Sequence, residues 1–289
     1  MDAKELLAQV RRIEIKTKAL SGNIFAGEYH SAFKGRGMSF AEVREYQIGD
    51  DVRDIDWNVT ARTARPHLKV FEEERELSVM LLIDVSGSLD FGSTKTTQRQ
   101  LLTEVAATLA FSAIGNNDRI GVIFFSDRIE RFIPPSKGRK HILRIIRELL
   151  ELQPASRGTD VGVAIEYLMR VERKRCIAFL MSDFVGCGDF FRLAGMAARR
   201  HDLVVLRLSD CRMRELPDVG LVQLEDAETG EVRLIDTSVK SVREIYARKW
   251  RENDEKLRQQ LRKQGIDMGE LETGKDFVRV LVDLFRRRI

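Results

Sequence analysis

The chain has 289 residues, 43% hydrophobic and 33% charged, so it carries enough apolar material for a core and is not a disordered polymer. Its 49 Lys and Arg against 45 Asp and Glu leave a formal charge of +4, too small an excess to imply nucleic acid by itself. The longest uncharged apolar run, LSVMLLI at residues 77–83, falls far short of the ~20 residues of a membrane-spanning helix. The opening MDAKELLAQVRR lacks the apolar core of a signal peptide, so a cytoplasmic location is expected. Cys176, Cys187 and Cys211 lack zinc-ligand spacing and are expected to be free thiols.

The first helix places Leu6, Val10 and Ile13 on one face and runs into a Gly-rich, polar stretch, HSAFKGRGMSFAEVREYQIGDDVRDIDW. Phe40, Val43, Tyr46, Ile55, Trp57, Leu68, Val70 and Phe71 are too many apolar residues for a solvated linker. This arm is therefore expected to pack rather than trail, with residues 68–71 pairing as an extra strand. Four apolar runs then read as buried strands: LSVMLLID, DRIGVIFFS, RCIAFLMSD and HDLVVLRLSD. Between them QRQLLTEVAATLAFSAI, HILRIIRELLEL, VGVAIEYLMRV and FFRLAGMAARR read as helices. Strands without polar alternation are covered on both faces, which predicts a doubly wound α/β fold with a mostly parallel sheet. GLVQLED and GEVRLID around AETG predict a hairpin turning at Gly230. A long, basic helix over 239–264 follows, with Val242, Tyr246, Trp250, Leu257 and Leu261 on one stripe. The expected division is 1–76, an N-terminal helix and arm; 77–210, the α/β domain; and 211–289, the hairpin and helical extension.

Asp84-Val85-Ser86-Gly87-Ser88 follows the first core strand, and loops at the carboxyl ends of parallel strands build ligand sites. One carboxylate and two hydroxyls at alternate positions offer hard oxygens, suited to Mg²⁺ or Mn²⁺ rather than zinc. Thr159 in SRGTD and Asp183 in FLMSDF stand at a helix entry and a strand end, where they can complete the shell. Ser86, Ser88 and Thr159 would then ligate directly, with waters held by Asp84 and Asp183. Asp and Ser at a strand–helix junction are also ordinary turn and cap residues. It is the placement of all three pieces at such junctions that favours the cation.

This pattern resembles the metal-ion-dependent adhesion site of von Willebrand factor A-type domains, with Asp84, Ser86, Ser88, Thr159 and Asp183 at the matching positions. The run FAEVREYQIGDDVRDIDWNVTARTARPHLKVFEEERE resembles the signature of domain-of-unknown-function family fifty-eight, a bacterial von Willebrand factor A-like family. FSD, SDF, RHDLVVLRLSD, ELPDVG and DAETGE resemble that family too. The resemblance implies a von Willebrand factor A-like fold and a non-enzymatic, metal-ion-dependent protein-binding module. It implies Mg²⁺ or Mn²⁺ as the ion. The expected partners are a MoxR-type AAA+ ATPase and a protein ligand offering a carboxylate. Phe184 departs from the Gly that usually follows the last Asp in adhesion-type domains.

Other chemistry finds less support. Asp50, Asp51, Asp54 and Asp56 lie among Arg44, Arg53, Arg62 and Arg65, an expected ion-pair network with Trp57 as apolar anchor rather than a catalytic pair. Asp84 sits where haloacid-dehalogenase phosphatases place their nucleophile, but the acid needed two residues on is Ser86. No GxxxxGK[ST] or HExxH is present. Arg286, Arg287 and Arg288 offer phosphate contacts for a nucleic acid, but equally suit a helix C-terminus, where cations favour the dipole.

Overall fold

The computed structural model describes residues 10–14, 29, 31–32, 38–47, 49–73, 77–93, 97–226, 228 and 230–288. The chain forms two compact units, Phe33–Leu77 and Met1–Ala32 with Ser78–Ile289. In the smaller unit, β1 (Met38–Glu45) pairs antiparallel with β2 (His67–Glu73), from Met38 opposite Glu73 to Glu45 opposite His67, with a bulge between Phe40 and Glu42. The expected strand at 68–71 therefore exists, but in a two-stranded ribbon of its own. Between its strands lies α1 (Trp57–Thr63). Three of this segment's four acids have local structural partners. Asp50 takes a two-pronged hydrogen bond from Arg44 at 2.7 Å on each oxygen, Asp51 caps the turn Val52–Asp54, and Asp56 caps α1 through the N–H groups of Asn58 and Val59. Trp57 is no buried anchor: it opens α1 with its side chain exposed.

The larger unit is built on a six-stranded sheet. Its strands are β3 (Ser78–Asp84), β4 (Arg119–Phe125), β5 (Ile129–Ser136), β6 (Ile177–Ser182), β7 (Asp202–Ser209) and β10 (Asp267–Glu272). The order is β10-β7-β6-β3-β4-β5, parallel throughout except for β5, which pairs antiparallel with β4. β5 carries Pro134 and Pro135, which suit an edge strand because they donate no ladder hydrogen bond. Helices α2 (Gln98–Gly115), α3 (Arg139–Glu151), α4 (Val161–Val171), α5 (Phe191–Arg200) and the short α6 (Cys211–Arg214) follow in chain order. α2 starts on a capping box between Thr97 and Gln100 and is buried around most of its circumference.

The strands are apolar on both sides because both sides are packed. Met80, Leu82, Ile123, Phe125, Ala178 and Leu180 join one core cluster with residues of α4 and α5. Phe179, pointing the other way, stacks near Phe285, which in turn meets the fully buried Tyr29 edge-on. Each such fully buried side chain contributes roughly 1.5–3 kcal/mol. Near the N-terminus Val10 and Glu14 are buried and Glu14 pairs with Arg139 at 2.6 Å, while Leu6 lies outside the described residues.

The sheet continues past residue 210. After the predicted hairpin, β8 (Leu221–Glu225) with β9 (Val232–Asp236), comes the predicted long helix, α7 (Lys240–Lys263). Leu257 and Leu261 of its stripe are buried in the main core, whereas Val242, Tyr246 and Trp250 are half-buried. β10 then adds to the edge of β7, and α8 (Phe277–Arg286) packs its Phe277, Leu281, Leu284 and Phe285 inward. Arg288 bonds both Asp202 and Asp267, so it locks the starts of β7 and β10 instead of facing solvent as a phosphate contact. Cys176, Cys187 and Cys211 are all free, as expected.

Asp210, at the end of β7, ties this extension to the body. It accepts from the Ser93 N–H at 3.0 Å, the Ser93 hydroxyl at 2.5 Å, the Thr273 hydroxyl at 2.5 Å and the Arg212 N–H at 2.9 Å. Burial alone would raise its pKa, but these hydrogen bonds outweigh it and hold the carboxyl at about 2. Its folded value is therefore below the unfolded one. The stabilisation is present above about pH 4 and is lost as the pH falls through about 2. Asp210→Ala is expected to lose about 2–3 kcal/mol at pH 7, with the deficit shrinking toward pH 2. Urea titrations of both proteins across that range test this, and equal midpoints at pH 7 would contradict it.

Candidate metal centre

The chain runs from β3 to β4 and β5 on one side of the sheet, then returns to β6 and β7 on the other, so the strand order reverses at β3. Loops diverge at such a point and leave a crevice at the carboxyl ends of the strands. β3 and β6 pair in register from Val79 opposite Ile177 to Ile83 opposite Met181. That pairing brings Asp84 and Asp183 to the same end of adjacent strands. Both are fully buried, as is Ser86, while Ser88 and Thr159 are each 9% exposed.

Asp84 spends its carboxylate on loop geometry. One oxygen accepts the Ser86 N–H at 2.8 Å, and the other accepts the Ser182 hydroxyl at 2.6 Å. Ser182 in turn accepts the Phe184 N–H at 3.0 Å, so a single hydroxyl joins the first and third loops. The hydroxyls of Ser86 and Ser88 lie 3.2 Å apart on one side of the first loop. Thr159 arrives on a segment sewn to its neighbours. Gly87 N–H donates to the Arg157 carbonyl at 3.2 Å, and Asp160 N–H to the Ser126 carbonyl at 2.9 Å. Asp160 also caps α4, fixing where the helix begins and hence where Thr159 stands. Glu130 holds the same segment by accepting the N–H groups of Ala155 and Ser156 and the Ser126 hydroxyl.

Two polar atoms of this cluster remain buried with no hydrogen-bond partner, the Thr159 hydroxyl and one oxygen of Asp183. The other Asp183 oxygen accepts the Val185 N–H at 3.0 Å. Burial pushes the Asp183 carboxyl up to about 7, and the neighbouring Asp84 charge pushes it the same way. Burial likewise raises Asp84, against the hydrogen bonds from Ser182 and Ser86. Orphaned hard oxygens beside two crowded carboxylates fit a small divalent cation, which would pair with the atoms that lack partners. Among the described residues no three His, Cys, Asp or Glu side chains are grouped as metal ligands, so such a site relies on its hydroxyls. Burial, helped by the Asp183 charge, pushes the Cys187 thiol in the third loop up to about 12.

Phe184 adopts the backbone expected of a glycine, with φ of 57°. A bulky residue there costs roughly 1–3 kcal/mol. Its ring packs on Phe190 at 5.5 Å between centroids, which offsets part of that cost. The loop thus turns as tightly as it would with Gly. A groove of about 520 Å³ opens beside it, lined by Phe184, Cys187, Phe191, Tyr246, Lys249 and Trp250 among others. A larger cavity of about 940 Å³ borders α3, and none of the site residues lines it.

The model for the protein family of unknown function DUF58 matches residues 42–256. The chain belongs to the DUF58 family. This DUF58 chain is 34% identical over 284 residues to the uncharacterized proteins Mb1516 of Mycobacterium bovis and Rv1480 of Mycobacterium tuberculosis, covering 98% of its own length and 89% of theirs. Among solved structures it resembles the conserved hypothetical protein BatB from Bacteroides thetaiotaomicron, with a TM-score of 0.51 and 16% identity over 73% of this chain and 98% of that one. The VWA domain of SpRpn10 is also similar, with a TM-score of 0.39 and 13% identity over 73% of this chain and 94% of that domain. The fold is von Willebrand factor A-like.

Of the residues singled out from the sequence, Asp84, Ser86, Ser88 and Asp183 converge on one crevice, and the segment bearing Thr159 is bonded to its first loop. Sequence reading missed Ser182, Glu130 and Glu228. Ser182 directly precedes Asp183 at a strand end, a signal that was present. Glu228 comes from the distant β8–β9 hairpin, where its carboxylate lies against Gly186 in the loop after β6 and its charge acts on Asp84 and Asp183, a placement no local spacing could reveal. Because Asp183 is costly to bury when charged, Asp183→Asn is expected to raise the melting temperature at pH 8 in EDTA by a few degrees. Mg²⁺ should stabilise only the wild-type protein. Equal Mg²⁺ responses in thermal melts would contradict the cation site.

Proposed function

We propose that this DUF58 chain is a non-enzymatic, metal-ion-dependent protein-binding module, an adaptor beside a MoxR-type AAA+ ATPase in the assembly or maturation of other proteins. The reading rests on the buried, unpartnered Thr159 hydroxyl and Asp183 oxygen, together with the paired Ser86 and Ser88 hydroxyls, in the loops at the point where the strand order reverses. Ser86, Ser88 and Thr159 would hold the ion, with Asp84 and Asp183 placing waters around it. A bound Mg²⁺ or Mn²⁺ supplies an electrophile for a carboxylate on the protein ligand. The groove beside Phe184 offers aromatic surface and Lys249 to the residues flanking that carboxylate.

Asp84 is ill placed as a phosphotransfer nucleophile, since it is fully buried and both its oxygens are hydrogen-bonded. Of the three terminal arginines offered as phosphate contacts, Arg288 is instead engaged with two carboxylates. No helix among the described residues is long and apolar enough to cross a membrane.

Binding of a purified MoxR-type ATPase from the same cells tests the reading. Wild-type protein in Mg²⁺ is expected to bind at least tenfold more tightly than Asp84→Ala, or than wild type in EDTA. Calorimetry with Mg²⁺ alone should give heat only for wild type. Cation-independent binding of equal strength in all three would overturn it.

A further inference from the structure

The β8–β9 hairpin ends at the cation crevice. Its tip is closed by Asp226, whose N–H donates to the Glu231 carbonyl at 2.8 Å and whose side chain accepts the Glu228 N–H at 2.9 Å. Gly230 completes the turn with φ of 71° and donates to the Asp226 carbonyl at 2.8 Å. The Glu228 side chain then projects into the third loop of the site. A Cβ placed on Gly186 would lie 2.9 Å and 3.1 Å from its two carboxylate oxygens. Gly186, at φ of 69°, therefore leaves the space that this carboxylate fills. One Glu228 oxygen is buried without a hydrogen-bond partner, as are the Asp183 oxygen and the Thr159 hydroxyl of the site itself. Glu228 lies near enough for its charge to act on Asp84, Asp183 and Cys187.

A third carboxylate brought to two buried ones is repulsive unless a cation lies between them. The hairpin is built to deliver it nonetheless. Its base is pinned by Thr237, which accepts the Val219 N–H at 3.1 Å and donates to the Gly220 carbonyl at 2.7 Å. Between base and tip Leu221, Val232 and Leu234 are exposed, so lifting the tip gives up little buried apolar surface.

We propose that Glu228 is a built-in carboxylate that occupies the place of the protein ligand's carboxylate at the cation, so that the hairpin tip must withdraw before that ligand binds. The inference rests on the cation-dependent reading above. It adds that the site is closed by its own chain in the resting state. Glu228 is the candidate occupant because its carboxylate lies against Gly186 of the third loop, one of its oxygens is buried without a partner, and its charge acts on Asp84 and Asp183.

The test uses the full-length protein with Mn²⁺ as the probe ion and acetate as the probe carboxylate, read by water-proton relaxation per bound Mn²⁺. Glu228→Ala and Glu228→Gln are expected to raise the relaxation enhancement as water enters the vacated position. Acetate should then lower it, at concentrations that leave wild type unchanged. Gly186→Ala keeps the carboxylate but denies it its place, and is expected to shift the signal in the same direction. If Mn²⁺ binds wild type but not Asp84→Ala, while the Glu228 and Gly186 variants match wild type in relaxation and acetate response, the closing role of Glu228 is overturned and the cation site stands. If wild type binds no Mn²⁺, the cation site falls and the inference with it.

Discussion

Two carboxylates buried side by side are the constraint around which the larger unit is arranged. Asp84 and Asp183 end adjacent parallel strands, so the hydrogen-bond ladder between β3 and β6 forces them together. Burial and mutual repulsion both oppose their charged forms, which an unaided protein would relieve by protonating one of them. The Ser182 hydroxyl and the N–H groups of Ser86 and Val185 satisfy three of the four oxygens. The fourth remains without a partner, as does the buried Thr159 hydroxyl. These unpartnered atoms, in loops at the carboxyl ends of an open α/β sheet, are the observation on which the proposed cation site rests.

The surrounding loops hold those atoms in place at a cost to themselves. Phe184 takes a left-handed backbone so that the third loop can turn at once after Asp183. Glu130 and Asp160 fasten the segment carrying Thr159, one by accepting its N–H groups and the other by capping α4. None of these residues needs to touch an ion. Each fixes where an oxygen of the proposed site stands, and a site built on rigid strand ends depends on such support.

Much of this was legible in the sequence because the physics was local. The four core strands are unbroken apolar runs, and the helices between them keep a helical period, so the doubly wound sheet follows from pattern alone. Asp-x-Ser-x-Ser at a strand end is likewise a short-range signal. What escaped was decided at long range. β10 reads DMGELE, and its acids hide an edge strand because Glu270 and Glu272 pair with Arg214 from another element. α8 did carry a signal, with Phe277, Leu281, Leu284 and Phe285 spaced along one face. The acids at Asp51 and Asp56 proved to be helix and turn caps, a role their place before short helical turns could have announced. Glu228 shows the limit most clearly, since its meaning lies in Gly186, some forty residues earlier in the chain.

The question on which everything else turns is whether a divalent ion lodges among these oxygens. Anomalous diffraction from crystals grown in saturating Mn²⁺ answers it most directly. A single peak bounded by the Ser86, Ser88 and Thr159 hydroxyls, at about 2.1 Å from its nearest oxygens, is the predicted result. A peak elsewhere, or ordered water alone in the crevice, would show that the two carboxylates are balanced without a cation.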